Sequence, residues 1–446
     1  MDTDVLTMIN SANIEAAKLY ELFARMNTVD IADAFEHVNK EKTIRAFRLL
    51  PKSKAADVFS YIAPEKQQII VEGLTDTEVA GIMNELFVDD AVDFLEEVPA
   101  IVVKRVLNNI GSEKRKLINQ ILNYPKDSAG SVMTTEYVEL SEDMIVRDAL
   151  NTIRTSGVNK VTIYTCYAIG PDKKLIGAVS AEALVYAELT KKIGEIMDAN
   201  VIFAQTTDDR EVVAAMFRKY GLLAMPVVDH EQQLVGIITV DDILHIIEEE
   251  NTEDFEKMAA LSPSDEPYLK TGVLQQAKNR IIWLLLLMLS ATITGAIITG
   301  FENSLAVLPA LIAFIPMLMG AGGNAGAQSS TVIIRGMALG EIALKDVMKV
   351  VWLEIRVGLI CGLALGIANF IRIYLMNEKN ATLSLVVTIS LCVTLVVAKS
   401  IGCTLPILAK KLKMDPAIMA APLITTIVDC TTLIVYFSIA KIAFHI

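Results

Sequence analysis

The sequence has few residues of the kinds that usually carry covalent or metal-based catalysis. It contains only five cysteines, none of them in a CxxC pair, and four lie in apolar segments. This spacing gives no indication of a disulfide framework or a zinc site. The 4 histidines lie outside the interiors of the long apolar segments, and no HExxH or GxSxG motif is present. A membrane enzyme is therefore disfavoured, and we expect that the protein is not an enzyme.

Charge is distributed very unevenly along the 446 residues. Residues 277–446 contain 13 Lys and Arg against 7 Asp and Glu, a net charge of +6, and include several 18-residue stretches without charge. The first 276 residues hold the other 27 basic and 46 acidic residues, a net charge of −19. An acidic soluble half repels nucleic acid and anionic lipid, and it attracts divalent cations. We therefore expect no nucleic-acid partner.

The N-terminal residues 1–130 show short apolar patterns at helical spacing, with no strand-like alternation. Breaks that carry Pro, Gly or Asp separate these patterns, for example at Pro51, Pro64 and Pro99. Short helices of this kind cannot bury a face alone and must stack, so we predict a helical solenoid domain. The first ten residues are acidic and lack an apolar core, so we expect no signal peptide and a cytoplasmic location for this half.

Residues 131–248 contain an internal duplication. Met133 matches Met197, and Leu-Ile-Gly at 175–177 matches Leu-Val-Gly at 234–236. Each copy is predicted to run helix, strand, turn, strand, helix. This arrangement resembles a tandem pair of cystathionine-β-synthase (CBS) domains, which implies an α/β fold for this part of the chain.

A possible nucleotide site follows from the CBS resemblance. In that family a Thr/Ser-x-x-Asp element after the second strand often holds the ribose of an adenine nucleotide. The second copy carries Thr239 and Asp242, whereas the first has Ser180 and Ala183 at these places. A helix N-cap by Thr239 with an acid in the first turn explains the same residues. ATP as a ligand of this pair and a purely structural role both stay open.

Residues 249–276 connect this pair to the apolar half and are rich in acids. Six of the nine residues at 248–256 are Asp or Glu. Such a run is usually a solvated face, and it repels itself unless cations or basic groups lie beside it. Its position before the first apolar segment also suits a connecting helix that transmits a signal to the membrane.

Residues 277–446 are predicted to form a transmembrane domain of five helices. The predicted spans are about 281–300, 305–335, 347–371, 384–408 and 418–441. Glycine and proline are expected to break the second span within 316–330. Basic residues cluster at alternate ends of the spans, which predicts a multi-pass protein of the cell membrane with a cytoplasmic soluble half and an external C-terminus. Five spans are few for a solute pathway, so we expect an oligomer that builds the pathway between subunits.

Asp429 is the single charged residue of the apolar run 422–439 in the last span. A carboxylate near the middle of a bilayer costs roughly 2.5 to 3.5 kcal/mol. Thr425 lies one helical turn before it, so one face presents a carboxylate and hydroxyl groups, which suits a hydrated cation. The alternative is an ion pair of Asp429 with Arg356 or Lys399.

Polar residues of two other spans are further candidates for a cation pathway. Asn324 and Gln328 bring amide groups to membrane depth, next to backbone expected to be free near residues 320–326. The glycines at 322 and 326 also allow close helix packing. Glu354, in the third span, is either a second cation contact or a structural acid.

Over nearly its whole length, the chain resembles the MgtE family of magnesium channels. The most specific elements are Gly-Gly-Asn-Ala-Gly-Ala-Gln at 322–328 and Pro-Leu-Ile-Thr-Thr-Ile-Val-Asp at 422–429. The resemblance implies a homodimer with its pore between the subunits, Asp429 at hydrated Mg²⁺, and closure by cytosolic Mg²⁺. The acids implied for this Mg²⁺ sensor are Asp89, Asp90, Asp93, Asp241, Asp242, Glu253, Asp254 and Glu256.

An anion channel and a coupled cation carrier are the two alternatives to an Mg²⁺ channel. An anion channel is disfavoured by the lone acid of the last span and by the absence of a ring of basic residues. A proton- or sodium-coupled carrier of divalent cations stays the alternative, because Asp429 is able to take up a proton. Oxygen ligands suit Mg²⁺, Mn²⁺, Co²⁺ and Ca²⁺ alike, so the sequence leaves the preferred ion open.

Overall fold

The computed structural model describes residues 6, 8–9, 16–157, 160–264, 268–269, 271–376, 380–419 and 421–445. The chain divides into two compact units, Met1–Ile247 and Glu248–Ile446. Each unit has a hydrophobic core of its own. The predicted fold class is confirmed: a helical N-terminal domain and an α/β CBS pair precede a helical domain with five candidate membrane helices.

The first unit begins with a stack of short helices. In the described residues these are α1 (Ala16–Arg25), α2 (Thr28–Glu36), α3 (Lys40–Phe47), α4 (Lys52–Ser60), α5 (Pro64–Gly73), α6 (Asp76–Glu85), α7 (Val88–Glu97), α8 (Ala100–Asn109) and α9 (Ser112–Ile121). From α2 to α9 the helices begin at 12-residue intervals, at residues 28, 40, 52, 64, 76, 88, 100 and 112. The polar side chains of Asn27, Asn39 and Thr75 accept hydrogen bonds from backbone N–H groups at three of these starts.

The same position of every 12-residue unit is apolar and buried. These residues are Ala34, Ala46, Val58, Ile70, Ile82, Phe94, Val106 and Ile118. A second row, Phe23, Phe35, Phe47 and Phe59, places successive ring centroids 6.1 to 6.2 Å apart. Helices pack mainly on the next but one, as α2 does on α4 and α3 on α5. The predicted solenoid is therefore confirmed, and its helices form two layers.

Two similar α/β modules complete the first unit. Their elements are β1 (Glu139–Ser141), α10 (Val146–Ser156), β2 (Thr165–Ile169), β3 (Leu175–Ser180), α11 (Ala181–Tyr186) and α12 (Ile193–Ile196), then β4 (Ala204–Gln205), α13 (Arg210–Tyr220), β5 (Ala224–Val228), β6 (Leu234–Thr239) and α14 (Val240–Met258). Each three-stranded sheet has a parallel first pair and an antiparallel second pair, in the orders β1-β2-β3 and β4-β5-β6.

The duplicated residues of the two modules meet across the pair. A Cβ at Gly236 would lie 2.6 Å from the sulfur of Met133, and one at Gly177 would lie 2.5 Å from the sulfur of Met197. Each methionine therefore packs on the glycine of the other copy. The matches at 133/197 and 177/236 thus reflect one contact made twice, with approximate two-fold symmetry.

The second unit contains five helices long and apolar enough to cross a membrane. They are Val273–Gly300, Pro309–Ala338, Leu344–Leu375, Ala381–Lys411 and Pro416–Phe444, and three of them begin with a short 3-10 turn. The α-helical parts are α15 (Val273–Gly300), α17 (Ile315–Ala338), α18 (Val347–Met376), α19 (Ala381–Lys411) and α20 (Ala421–Phe444), with the short α16 (Glu302–Val307) between the first two. Helix α19 packs against α17, α18 and α20 and forms the centre of this unit.

The glycine-rich segment does not break the second span, so that expectation is wrong. A single helix, α17, runs from Ile315 to Ala338, with Pro316 in its first turn, where a missing N–H costs no helix bond. The irregular backbone lies earlier, in the 3-10 turn Pro309–Phe314. The carbonyl groups near residues 320–326 therefore belong to the interior of an α-helix and are used by its hydrogen bonds.

The glycines of α17 instead allow close helix packing. A Cβ at Gly402 of α19 would lie 2.2 Å from the carbonyl oxygen of Gly326. A Cβ at Gly323 would lie 2.8 Å from the methyl carbon of Thr425 on α20. The three helices approach so closely because these positions carry no side chain.

We expect Gly402→Ala to destabilise the membrane domain, because its methyl group meets backbone that cannot move aside. The expected cost is about 1–3 kcal/mol, as for other overpacked sites. Gly295→Ala adds the same methyl group to a helix where a Cβ meets nothing within 4 Å, and serves as the matched control. Thermal unfolding of both purified variants in detergent checks the prediction, and equal melting temperatures would contradict it.

Candidate functional site: two sets of carboxylates

Asp429 lies in α20 and keeps a buried carboxylate oxygen without a protein partner. Its Oδ1 is buried and has no hydrogen bond in the described part of the chain. Within that part the structure also records no ion pair for Asp429 with Arg356 or Lys399. The hydroxyl oxygen of Thr432, three residues further on, is likewise buried without a partner. One face of α20 thus presents two unsatisfied oxygens, which suits a hydrated cation better than an internal salt bridge.

Thr425 shares this face of α20 and packs against Gly323 of α17. A Cβ at Gly322 would lie 2.9 Å from the Thr432 hydroxyl and 2.8 Å from the methyl carbon of Thr394. The glycines of α17 therefore lie directly against the threonines around Asp429. The glycine segment thus meets the last span through close packing and not through free carbonyl groups.

Three predicted residues line one cavity of about 760 Å³ between α17, α18 and α19. They are Asn324, Gln328 and Glu354, and Lys399 lies at the same wall. The amide side chains of Asn324 and Gln328 are exposed. At membrane depth, polar side chains are tolerated only where they are buried in protein or line a water-filled path, so the polar residues of this cavity suit such a path.

Glu354 already has a cation and a hydroxyl group beside it. Its Oε2 lies 3.7 Å from Nζ of Lys399 and accepts a hydrogen bond from Ser329. Glu354 and Lys399 are only 9% and 6% exposed. A buried carboxylate is stabilised by such partners, and this geometry favours the structural role among the two considered. A metal contact for Glu354 stays a prediction.

Four acids of the proposed sensor lie at the starts of two helices of the first unit. Asp89 and Asp90 are in the first turn of α7, and Asp241 and Asp242 are in the first turn of α14. Helix N-termini favour negative charge. Asp93 lies one turn further along α7 and is exposed.

Burial and the charges of neighbouring acids raise the pKa values of three of these carboxyl groups, those of Asp89, Asp90 and Asp242. Burial and the nearby charges of Asp242 and Asp241 raise the pKa of Asp90 to about 7. Burial, Asp90 and Asp242 hold the pKa of Asp89 well above its usual range, and Asp89 Oδ1 is buried without a hydrogen bond. Burial also raises the pKa of Asp242, although the Thr239 hydroxyl donates to its Oδ2 at 2.7 Å. Such carboxylates gain from a bound cation.

The acids at the starts of α7 and α14 influence one another electrostatically but do not form a complete set of metal ligands. In the described ranges, no group of three or more His, Cys, Asp or Glu side chains is arranged to hold a metal ion. This fits Mg²⁺, which keeps most of its waters and needs only one or two direct carboxylates. The backbone N–H of Thr239 also hydrogen-bonds the Asp242 carboxylate, which matches a capping role for this pair.

The remaining predicted sensor acids lie in the second unit, at the end of α14. Glu253 is 2.6 Å from the ammonium group of Lys257, and Glu256 accepts a hydrogen bond from the backbone N–H of Ser264 at 2.9 Å. Burial and the charge of Asp415 raise the pKa of Asp254. Sequence patterns had not indicated Lys257 as a partner of these acids.

Comparisons with known proteins match most of the chain. Residues 315–439 match the MgtE family, described as a divalent cation transporter, residues 26–127 match the MgtE intracellular N domain, and residues 129–189 and 193–249 match CBS domains. The magnesium transporter MgtE of Thermus thermophilus is 34% identical over 428 residues, 95% of this chain and 94% of the relative. That of Bacillus subtilis is 34% identical over 93% of this chain and 92% of its own length.

Two solved structures resemble the soluble half. The cytosolic domain of the Mg²⁺ channel MgtE in complex with ATP has a TM-score of 0.50 and 32% identity, and covers 52% of this chain and 95% of that one. The soluble part of a magnesium transporter has a TM-score of 0.52 and 27% identity, and covers 56% of this chain and 97% of that one.

Proposed function

The chain belongs to the MgtE family of magnesium transporters, and on this premise we propose that it is a homodimeric Mg²⁺ channel of the cell membrane. The pore lies between the two subunits, with one Asp429 from each. Cytosolic Mg²⁺ bound among acids of the soluble half closes it. The soluble half is cytoplasmic, and the C-terminus is outside.

The observation that carries the proposal is the unsatisfied carboxylate oxygen of Asp429 in the last span. A buried carboxylate without a partner destabilises the folded protein. Such a group is therefore expected only where a ligand supplies the missing partner. A two-fold axis beside α20 would bring two such carboxylates together. Two carboxylates and a retained water shell match the way proteins bind Mg²⁺.

Regulation by internal Mg²⁺ is supported by the charges of the first unit. The first 276 residues have a net charge of −19, and burial together with the charges of neighbouring aspartates raises the pKa values of Asp89, Asp90 and Asp242. A divalent cation removes this repulsion and favours the arrangement in which the acids lie close together. The ligand therefore shifts the soluble half toward a compact state.

An adenine nucleotide is a second proposed ligand of the soluble half. ATP is present in the related cytosolic domain named above. Thr239 and Asp242 are the residues through which this chain would hold a ribose. Because Asp242 is also a proposed Mg²⁺ contact, binding of nucleotide and of Mg²⁺ would influence each other.

Purified protein in liposomes tests the channel proposal against the carrier alternative. We expect Mg²⁺ entry down its gradient at rates above those of a carrier, independent of any proton or sodium gradient, and stopped by internal Mg²⁺. Single-channel events in a planar bilayer would provide the same answer directly. Uptake that requires an opposing proton or sodium gradient would instead establish the coupled carrier, and no Mg²⁺ flux at all would refute both.

A further inference from the structure

Lys257 joins the acidic end of α14 to the start of the last span. Its ammonium nitrogen lies 2.6 Å from Oδ2 of Asp415 and 2.6 Å from Oε1 of Glu253. Lys257 and Asp415 are 158 residues apart in sequence and belong to the same compact unit. Asp415 directly precedes the 3-10 turn Pro416–Met419 that opens the last span.

Both oxygens of Asp415 are used at this contact. Oδ1 accepts a hydrogen bond from the backbone N–H of Ala417 at 2.8 Å and caps the turn, while Oδ2 accepts one from Lys257. A carboxylate held by a cap cannot rotate freely, so it offers Lys257 a fixed partner. Side-chain exposures of 24% for Lys257 and 31% for Asp415 protect the pair from most of the solvent screening that weakens surface pairs.

The ammonium group of Lys257 lies between carboxylates of two elements, that of Glu253 on its own helix and that of Asp415 before the last span. The junction thus contains three carboxylates, those of Glu253, Asp254 and Asp415, and a cation supplied by the chain itself.

We propose that the ammonium group of Lys257 takes the place of a metal ion and holds the acidic end of α14 to the start of the last span without Mg²⁺. The proposal rests on the proposed gating function, and it makes Lys257 a positioning residue of the gate. Mg²⁺ at Glu253 or Asp415 would have to displace an ammonium group already hydrogen-bonded to both. The contact between the end of α14 and the last span therefore persists at low internal Mg²⁺. Mg²⁺ then acts chiefly at the acids of the first unit.

Hydrogen exchange of the full-length protein in lipid nanodiscs with EDTA tests this contact. The variants are Lys257→Gln, Asp415→Asn, which keeps an oxygen for the cap, and the double variant. We expect amides of residues 248–258 to exchange roughly tenfold faster in each single variant, because a charge-assisted hydrogen bond is lost. The double variant should exchange no faster than Lys257→Gln alone, since both single changes remove the same interaction between Lys257 and Asp415.

Lys349→Gln is the matched control, because it removes a lysine that pairs with Asp346 at 3.1 Å but is 85% exposed. It should leave exchange at 248–258 unchanged. Exchange within α19 reports whether each variant is folded. Wild-type exchange at 248–258 in folded Lys257→Gln would overturn the proposal, as would effects that add up in the double variant.

This readout does not depend on transport. If both single variants lose protection but the wild-type protein transports no Mg²⁺, the proposed function is refuted and the contact is retained. Normal Mg²⁺ channel activity with unaltered exchange would refute the contact but retain the function.

Discussion

Replacing Asp429 with asparagine is expected to reduce Mg²⁺ influx about a hundredfold or more. Asparagine keeps the size of the side chain and one carbonyl oxygen but removes the charge. Two unit charges 4 Å apart attract by about 4 kcal/mol at an effective dielectric constant of 20, and a dication doubles this figure. In a two-fold pore the substitution removes both carboxylates at once. Influx into liposomes that contain a Mg²⁺-sensitive dye measures the loss.

Stability separates a transport role of Asp429 from a structural one. Its Oδ1 is buried without a partner, so removing the charge should leave the melting temperature unchanged or raise it. Glu341→Gln, a change to an exposed acid between the second and third spans, is the control and should transport normally. Full influx in a folded Asp429→Asn protein would contradict the proposal. A lower melting temperature with parallel loss of flux would point to a structural acid.

Neutralising the acids at the start of α7 is expected to keep the channel open at high internal Mg²⁺. Asp89→Asn and Asp90→Asn, singly and together, should raise the internal Mg²⁺ needed for half-closure by tenfold or more, since each removes a charge from the Asp89, Asp90 and Asp242 group. A tenfold change in binding corresponds to about 1.4 kcal/mol, well below the attraction between a carboxylate and a dication at contact.

Flux at a series of clamped internal Mg²⁺ concentrations measures this effect. Asp33→Asn is the matched control, because Asp33 is an exposed aspartate of the same domain. The variants should also be more stable than wild type without Mg²⁺, since burial and like charges raise the pKa values of the native carboxyl groups. Inhibition that matches wild type in Asp89→Asn and Asp90→Asn together would refute a sensor at this place.

The sequence predicted the architecture because hydrophobic pattern and charge are local properties. Five spans, a stack of short helices and a duplicated α/β module each follow from the order of apolar residues. The 12-residue interval of the solenoid was also present in the sequence, most clearly in Phe23, Phe35, Phe47 and Phe59. The apolar pattern of each helix does not reveal this interval by itself, because the interval appears only when successive helices are aligned.

The local geometry of the membrane sites was harder to predict. Glycine has low helix propensity in water, which favoured a broken second span. Packing against Gly402 and the threonines of α20 instead makes α17 continuous, as tertiary contacts override propensity. Likewise the partners of Glu354 and Asp415 lie far away in sequence, at Lys399 and Lys257. No spacing rule connects residues 158 positions apart.

The regular interval of the solenoid restricts how its length can change during evolution. Because each helix packs on the next but one, odd-numbered and even-numbered helices belong to different layers. Inserting or deleting one 12-residue unit before α7 would transfer Asp89 and Asp90 to the opposite layer. Every later helix of the stack would also change layer. A change of 24 residues would restore the layer and shift the acids by one step. Relatives that keep acids equivalent to Asp89 and Asp90 in the same layer should therefore differ in the length of this helical stack by even numbers of 12-residue units.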